Sequence, residues 1–342
     1  MAISALNKRR LATFRSNQRG WCSLWLFVAL FLVTLFADII ANDRPIIAYS
    51  KGNFYAPILW DYAETDFGGV FETPADYRDP AVQALIEEDG WMIWPPIRYR
   101  YDSINWNLGA PAPTPPSLEN LLGTDDQGRD VLARLLYGLR VSILFGLALT
   151  AATLVIGIFL GAVQGFFGGW VDLVTQRLIE IWSGMPMLYL LLILASLVQP
   201  TVSWLLLLML LFSWMGIAGL VRAEVLRARN FDYVRAARAL GVGEFTILLR
   251  HVLPNALVAT VTMLPFLLCG AIVTLTALDF LGFGLPPGSA SLGELLAQGK
   301  NNLQASWLGL TGFAVMAVLL SLLVFIGEAL RDALDPHRGG RG

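Results

Sequence analysis

The sequence predicts an all-α membrane protein, and three features of it carry that prediction. Of its 342 residues, 56% are hydrophobic and only 15% charged, where an ordinary soluble domain carries about a quarter charged residues. The apolar residues gather into runs long enough to cross about 30 Å of hydrocarbon. The charges are also sorted by sign along the chain. Together these give six transmembrane helices, with one long hydrophilic loop of small α+β character between the first and second.

Residues 1–20 hold Lys8, Arg9, Arg10, Arg15 and Arg19 and no acid. The run 21–40 follows as a first span, and the bases beside it place the N-terminal segment in the cytoplasm. Ala37-Asp38-Ile39 is a poor cleavage site for a signal peptide, and the residues after Arg9-Arg10 do not support a twin-arginine signal. Cys22 and Cys269 both fall in apolar runs, so they read as small buried hydrophobes rather than a disulfide or metal pair.

Residues 41–137 form the one large hydrophilic stretch. Fifteen acids between Asp43 and Asp130 face seven bases between Arg44 and Arg134, an excess that fits the outer side of the membrane. Residues 45–59 read as a hairpin turning near Lys51-Gly52-Asn53. Asp79-Pro80 has the look of an N-cap followed by a first helical residue, with Gly90 at the end of that helix. Such an ornament could meet a delivery protein, roof a pore mouth, or serve as a folded spacer. At its close, Thr124 and Asp125 can satisfy free amides at a helix start, and Arg140 can snorkel outward.

The second span covers about 141–163. Its Gly157, Gly161 and Gly165 repeat every four residues, so they share a face that lets a neighbouring helix come close. A third span carries Arg177 and Glu180, is interrupted at Gly184-Met185-Pro186, and continues to Val198. Gln199-Pro200 turns the chain into a fourth span, Trp204 to Val221. The fifth covers about Ala256 to Leu278. The Gly-Pro-Ser-rich stretch 278–296 reads as a re-entrant or surface turn. The sixth runs from Trp307 to about Ile326, and 329–342 form a tail. Six crossings put both termini in the cytoplasm.

Between spans four and five lies a polar segment, 230–254. Six arginines between Arg222 and Arg250 stand against three acids, which puts this segment in the cytoplasm. Asp232 can cap a short helix from Tyr233 to Leu240, and Gly241 falls where a left-handed C-terminal turn is needed. A second short helix starts near Glu244, and Pro254 marks re-entry into an apolar run. Ala236 and Ala237 present almost no side chain, so another protein's backbone could approach there. An amphipathic helix lying on lipid is the competing reading. A nucleic-acid-reading helix–turn–helix is poorer, because the membrane holds both ends.

The spacing of Ala236, Ala237, Gly241 and Leu253-Pro254 resembles the cytoplasmic loop signature of ABC importer permeases. Arg235 and His251 depart from the general pattern in the way of the peptide-importer branch. Residues 122–142, with Gly123-Thr124-Asp125, Gly128-Arg129-Asp130 and Arg134, resemble the entry to the second span of C-type peptide permeases. The resemblance implies the type I importer permease fold, with a core over 138–328. It makes Asp232, Tyr233, Ala236, Ala237, Leu240 and Gly241 the coupling helix that docks on an ATPase, with Leu253 and Pro254 closing the loop. It also implies a B-type permease subunit, two ABC ATPase domains carrying ATP and Mg, a periplasmic substrate-binding protein and a peptide substrate. The long loop is closest to the subgroup that imports peptide-like antibiotics such as microcin C.

The chain offers no chemistry of its own. None of Lys8, Lys51 and Lys300 sits in a phosphate-binding loop, so no bound cofactor is expected and ATP would belong to another chain. His251 and His337 have no ligand spacing around them. The rival class is a carrier driven by an ion gradient, which usually needs an ionisable residue at mid-membrane. Arg140, Arg177, Glu180 and Asp279 all fall toward span ends.

Overall fold

The structure, a computed structural model, describes residues 5–187, 189–190, 193–194 and 201–335. Among these, five helices are long and apolar enough to cross a membrane. They are α2 (Gln18–Leu35), α5 (Val131–Phe167), α7 (Val202–Ala228), α10 (Leu253–Phe280, prolonged back to Glu244) and α12 (Ser306–Leu334). Of the expected third span, α6 (Gly169–Ser183) is described, ending at the Gly184 break, and residues 187, 189–190 and 193–194 beyond it are helical. The rest of the expected continuation to Val198, the Gln199-Pro200 turn and His337 lie outside the described residues.

The first span is shorter than 21–40. It ends at Leu35, and a separate one-turn helix α3 (Ala37–Ile40) follows after Phe36. The basic segment before it is itself helical, α1 (Ala5–Ser16), and Asn17 caps α2 by accepting from the Gly20 amide at 3.1 Å. Phe14 is buried against Ala329 and Ala333 of α12. That contact ties both ends of the described chain to one side of the bundle.

α5 and α7 pack most closely. A Cβ built on Gly157 would lie 2.8 Å from Ile217, on Gly161 2.4 Å from the Ala218 carbonyl, and on Gly165 2.7 Å from the Arg222 carbonyl. Backbone meets backbone along this seam, and only glycine leaves room for it. A second core joins α5, α10 and α12 through Val131, Leu139, Ile272, Leu319 and Leu323. It also takes in Leu292 and Leu295 from α11 (Leu292–Asn301). That helix begins inside the stretch expected to be only a turn, 278–296, and runs five residues past it. Ser291 starts it by accepting from the Gly293 and Glu294 amides at 3.1 and 3.2 Å, and its buried leucines hold it down.

The insertion between α3 and α5 carries its own small core. Strands β1 (Ile47–Ser50) and β2 (Asn53–Tyr55) form a hairpin, with Lys51 and Gly52 both at positive φ in its turn, as a two-residue primed turn requires. A third strand, β3 (Trp91–Ile93), pairs antiparallel with β1, giving the order β2-β1-β3. Helix α4 (Pro80–Glu87) is capped by Asp79, which accepts from the Ala81 amide at 2.8 Å. It ends three residues before Gly90. Gly90 instead lets β3 begin beside the Tyr49 carbonyl, where a Cβ would come to 1.7 Å. Val82 and Ile86 of α4 bury against Phe67 and Tyr77.

Two local assignments differ from the sequence reading. The cap of α5 is Asp130, accepting from the Ala133 amide at 2.7 Å, rather than Thr124 or Asp125. Thr124 accepts from the Thr114 amide and Asp125 from Gln127 and Arg129 in the turn before it. Arg140 is paired with Asp38 at 2.5 Å and lies over the Tyr137 ring, so it locks α3 to α5 instead of reaching outward.

Candidate functional site: the turn between α7 and α10

α7 ends at Ala228, and the polypeptide leaves the bundle at Arg229. The Arg229 Nη1 donates to the Gly165 and Phe166 carbonyls at 3.1 and 3.2 Å, which are free acceptors at the end of α5. Helix α8 (Asp232–Ala239) follows. Its cap residue is Phe231, with no side-chain bond to the helix amides, so Asp232 is the first helical residue and not the cap. Its carboxylate still sits in the first turn, where the helix dipole favours negative charge.

The helix closes as a Schellman motif. The Gly241 amide donates to the Arg238 carbonyl at 3.0 Å and the Val242 amide to the Ala237 carbonyl at 3.1 Å, with Gly241 at φ +77. α9 (Glu244–Ile247) comes next, and Arg238 grips Glu244 by two bonds of 2.7 and 2.9 Å. The chain does not stop at Pro254. A π turn, Leu248–Val252, carries α9 directly into α10. The wide turn accommodates a proline that lacks an amide and would crowd the preceding carbonyls. Residues 244–280 therefore make one rod of 37 residues, about 55 Å long.

One face of α8 is sealed to its own chain. Val234 and Ala237 are buried with Ala162 and Phe166 of α5, Val221 and Val225 of α7, and Ile247, Val252 and Ala256 of the rod. Ala237 is thus a core residue of this chain, and its small side chain serves close approach to the bundle. Ala236, Leu240 and Gly241 face outward, Leu240 being 84% exposed. Phe245 adds a ring 70% exposed. Tyr233 is half-occupied at home, since its hydroxyl donates to the His251 carbonyl at 3.1 Å and accepts from Asn255 Nδ2 at 2.7 Å. Leu253 is partly buried on the same cluster, and Pro254 is exposed.

Arg229, Val242 and Phe245 were not legible as parts of this site. Arg229 reads as one arginine among six, and only the helix end it reaches reveals its use.

A cavity of about 320 Å³ opens between α5, α7 and α10, lined by Thr150, Thr153, Met209, Ser213, Phe266 and Thr274 among others. None of its described lining residues is charged. Thr153 and Ser213 share a hydrogen bond of 2.5 Å, while the Thr150 hydroxyl is buried without a partner.

Residues 141–339 match the family described as binding-protein-dependent transport system inner membrane component. This chain belongs to that family. The permease is 57% identical over 336 residues to the inner membrane ABC transporter permease protein YejE of Escherichia coli, covering 98% of both chains. It is 56% identical to the peptidoglycan transport system permease protein YejE of Agrobacterium fabrum, over 98% of this chain and 94% of that one. The oligopeptide transport system permease protein OppC of Haemophilus influenzae is 33% identical over 70% of this chain and 76% of its own. Likeness to the two YejE proteins thus extends through the insertion and the first span, beyond the matched permease segment.

Proposed function

We propose that this permease forms half of the membrane channel of an ATP-driven importer for peptides or peptide-like compounds, and that residues 232–241 receive the stroke of a separate ATPase. The observation that carries the reading is mechanical. A small exposed knob of Ala236, Leu240 and Gly241 sits on a helix whose other face is welded to α5, α7 and the 244–280 rod. Packed interiors transmit strain with little compliance, so a push on the knob tilts all three helices together. The other half would be a B-type permease, with two ATPase domains below and a substrate-binding protein outside.

The names of the relatives support the substrate class: one transports oligopeptides and another peptidoglycan. A charge-free cavity with scattered hydroxyls suits a cargo moved by alternating access, with no proton or sodium relay among its walls. Microcin C-type compounds fall in the same chemical class. In this reading the knob and both termini face the cytoplasm, and the 41–137 insertion faces the periplasm, where it would meet the delivered substrate.

Gly241→Arg tests the assignment. A Cβ at Gly241 meets nothing within 4 Å, so the added bulk projects into the space where a partner would sit; a side chain at its φ of +77 also strains the turn by about 1–2 kcal/mol, a cost that Gly241→Ala shares and so controls for. The variant is expected to insert in the membrane and lose at least tenfold of its ATPase subunits in a detergent pull-down, about 1.4 kcal/mol of binding. Full recovery of the ATPases together with normal uptake would defeat the assignment.

A further inference from the structure

Helix α6 carries two charges deep into the membrane, and its contacts with α7 set their depth. At the end nearer the coupling turn, Asp172 pairs with Arg222, whose Nη2 donates to it at 2.7 Å. Arg222 stands just past the fourth apolar run. Farther in, Trp182 Nε1 donates to the Leu211 carbonyl at 3.1 Å, and the Trp182 ring stacks on Phe212. From Asp172 to Trp182 the helix rises about 15 Å, half of a hydrocarbon core about 30 Å thick. Trp182 therefore lies near mid-membrane, with Glu180 about 3 Å and Arg177 about 7.5 Å short of it. The sequence reading set both charges toward the end of their span; the pairing with α7 corrects that.

Both charges also face away from the rest of the chain. α6 buries none of its residues. Asp172, Gln176 and Trp182 bond to α5 and α7 from one side. The other side carries Trp170, Val174, Leu178 and Ile181, all exposed. Arg177 stands near the centre of that face, 69% exposed, with Glu180 at its edge, 57% exposed. Arg177 Nη1 donates to Glu180 at 2.5 Å, the only hydrogen bond its guanidinium makes among the described residues. A guanidinium has five N–H donors, and its apolar neighbours on this face accept none. Lipid tails accept none either, and charges at such depth turn to protein or to water-filled space. An arginine short of acceptors, outward and far from the headgroups, suits a carboxylate, which can take two parallel N–H bonds from it.

We infer that the outward face of α6 lines the passage this permease shares with its second subunit, and that Arg177 binds a carboxylate of the peptide cargo there. The ligand is assigned on the peptide-import reading.

The test is access of water to this face and its protection by cargo. Ile181→Cys, one turn from Arg177, or Val174→Cys if the first fails to accumulate, is introduced into the full chain with Cys22 and Cys269 replaced by serine. The whole complex, in nanodiscs without ATP, is treated with a sulfonated maleimide, which reaches thiols in water and not those in lipid. Labelling is expected. Tri-alanine at ten times its dissociation constant is expected to slow it about tenfold, and Arg177→Gln to abolish that protection. Tri-alanine amide, which has no carboxylate, is expected to give none. The comparison of acid with amide needs no change at Arg177, so it decides the matter even where Arg177→Gln fails to assemble. Ala-Asp-Ala amide separates the sources: protection by it admits a side-chain carboxylate, and its failure confines the site to the carboxy terminus. Absence of labelling puts the face against lipid or a packed subunit and overturns the inference. Labelling that no peptide slows, or equal protection by tri-alanine amide, overturns it as well. Uptake of tri-alanine into proteoliposomes is read in parallel. Uptake without protection sinks the α6 site alone, whereas protection without uptake keeps the site and sinks the import reading.

Discussion

Adjacent alanines in α8 do opposite jobs, although the sequence presents them as a pair. Ala236 faces outward and Ala237 is packed beneath Val225 and Ile247. Ala236→Glu is expected to leave the melting temperature of the detergent-purified permease unchanged while weakening ATPase capture. Ala237→Glu places a charge among apolar side chains, costs several kcal/mol, and is expected to lower the yield of folded protein before any docking is assayed. Equal melting temperatures for the two would contradict the burial of Ala237. Glycines divide the same way. Gly161→Val drives new atoms into the Ala218 carbonyl, whereas a Cβ on Gly219 meets nothing within 4 Å. Thermal unfolding should show Gly161→Val destabilised by about 1–3 kcal/mol and Gly219→Ala within about 0.5 kcal/mol of the parent.

Elements are joined by charges at both ends of the bundle, and most deeply at the α5–α11 end, where Arg129 and Arg134 are buried. Arg134, fully buried on α5, holds Glu294 of α11 at 2.8 Å and the Ser289 carbonyl at 3.0 Å. Arg134→Met removes one member and leaves Asp125 and Glu294 sharing a single arginine. The expected loss is about 3–5 kcal/mol, as for breaking other buried pairs, read as a fall in melting temperature. A change under about 0.5 kcal/mol would show that α11 is held by Leu292 and Leu295 alone. Helix α11 shows why this joint escaped sequence reading. Its ten residues begin in a Gly-Pro-Ser stretch and include two glycines, so local signals favoured a turn and tertiary burial overruled them. The same limit hid β3, whose three residues form a strand only because β1 lies beside them.

At the scale of the whole molecule, hydrophobic run length located five long helices but not their full extent: α5 begins ten residues before Val141, α7 ends seven past Val221 and α12 eight past Ile326. Two other ends moved for local reasons: Phe36 interrupts the first span, and a π turn carries the fifth back past Pro254 to Glu244. Spacing of Ala236, Ala237 and Gly241 marked the candidate site, but it could not say which alanine faced out, since that depends on where α5 and α7 lie. The continuous rod was equally hidden, because proline ordinarily ends a helix. With the rod in view, the proposed mechanism becomes specific: force enters at α8 and leaves some 40 Å away, at the opposite end of the rod. The central claim is that this force comes from a separate ATPase. Proteoliposomes holding this permease with its partner subunits should concentrate peptide only when ATP is supplied, and the chain alone should accumulate none on a proton or sodium gradient. Accumulation by the chain alone on either gradient would contradict the account.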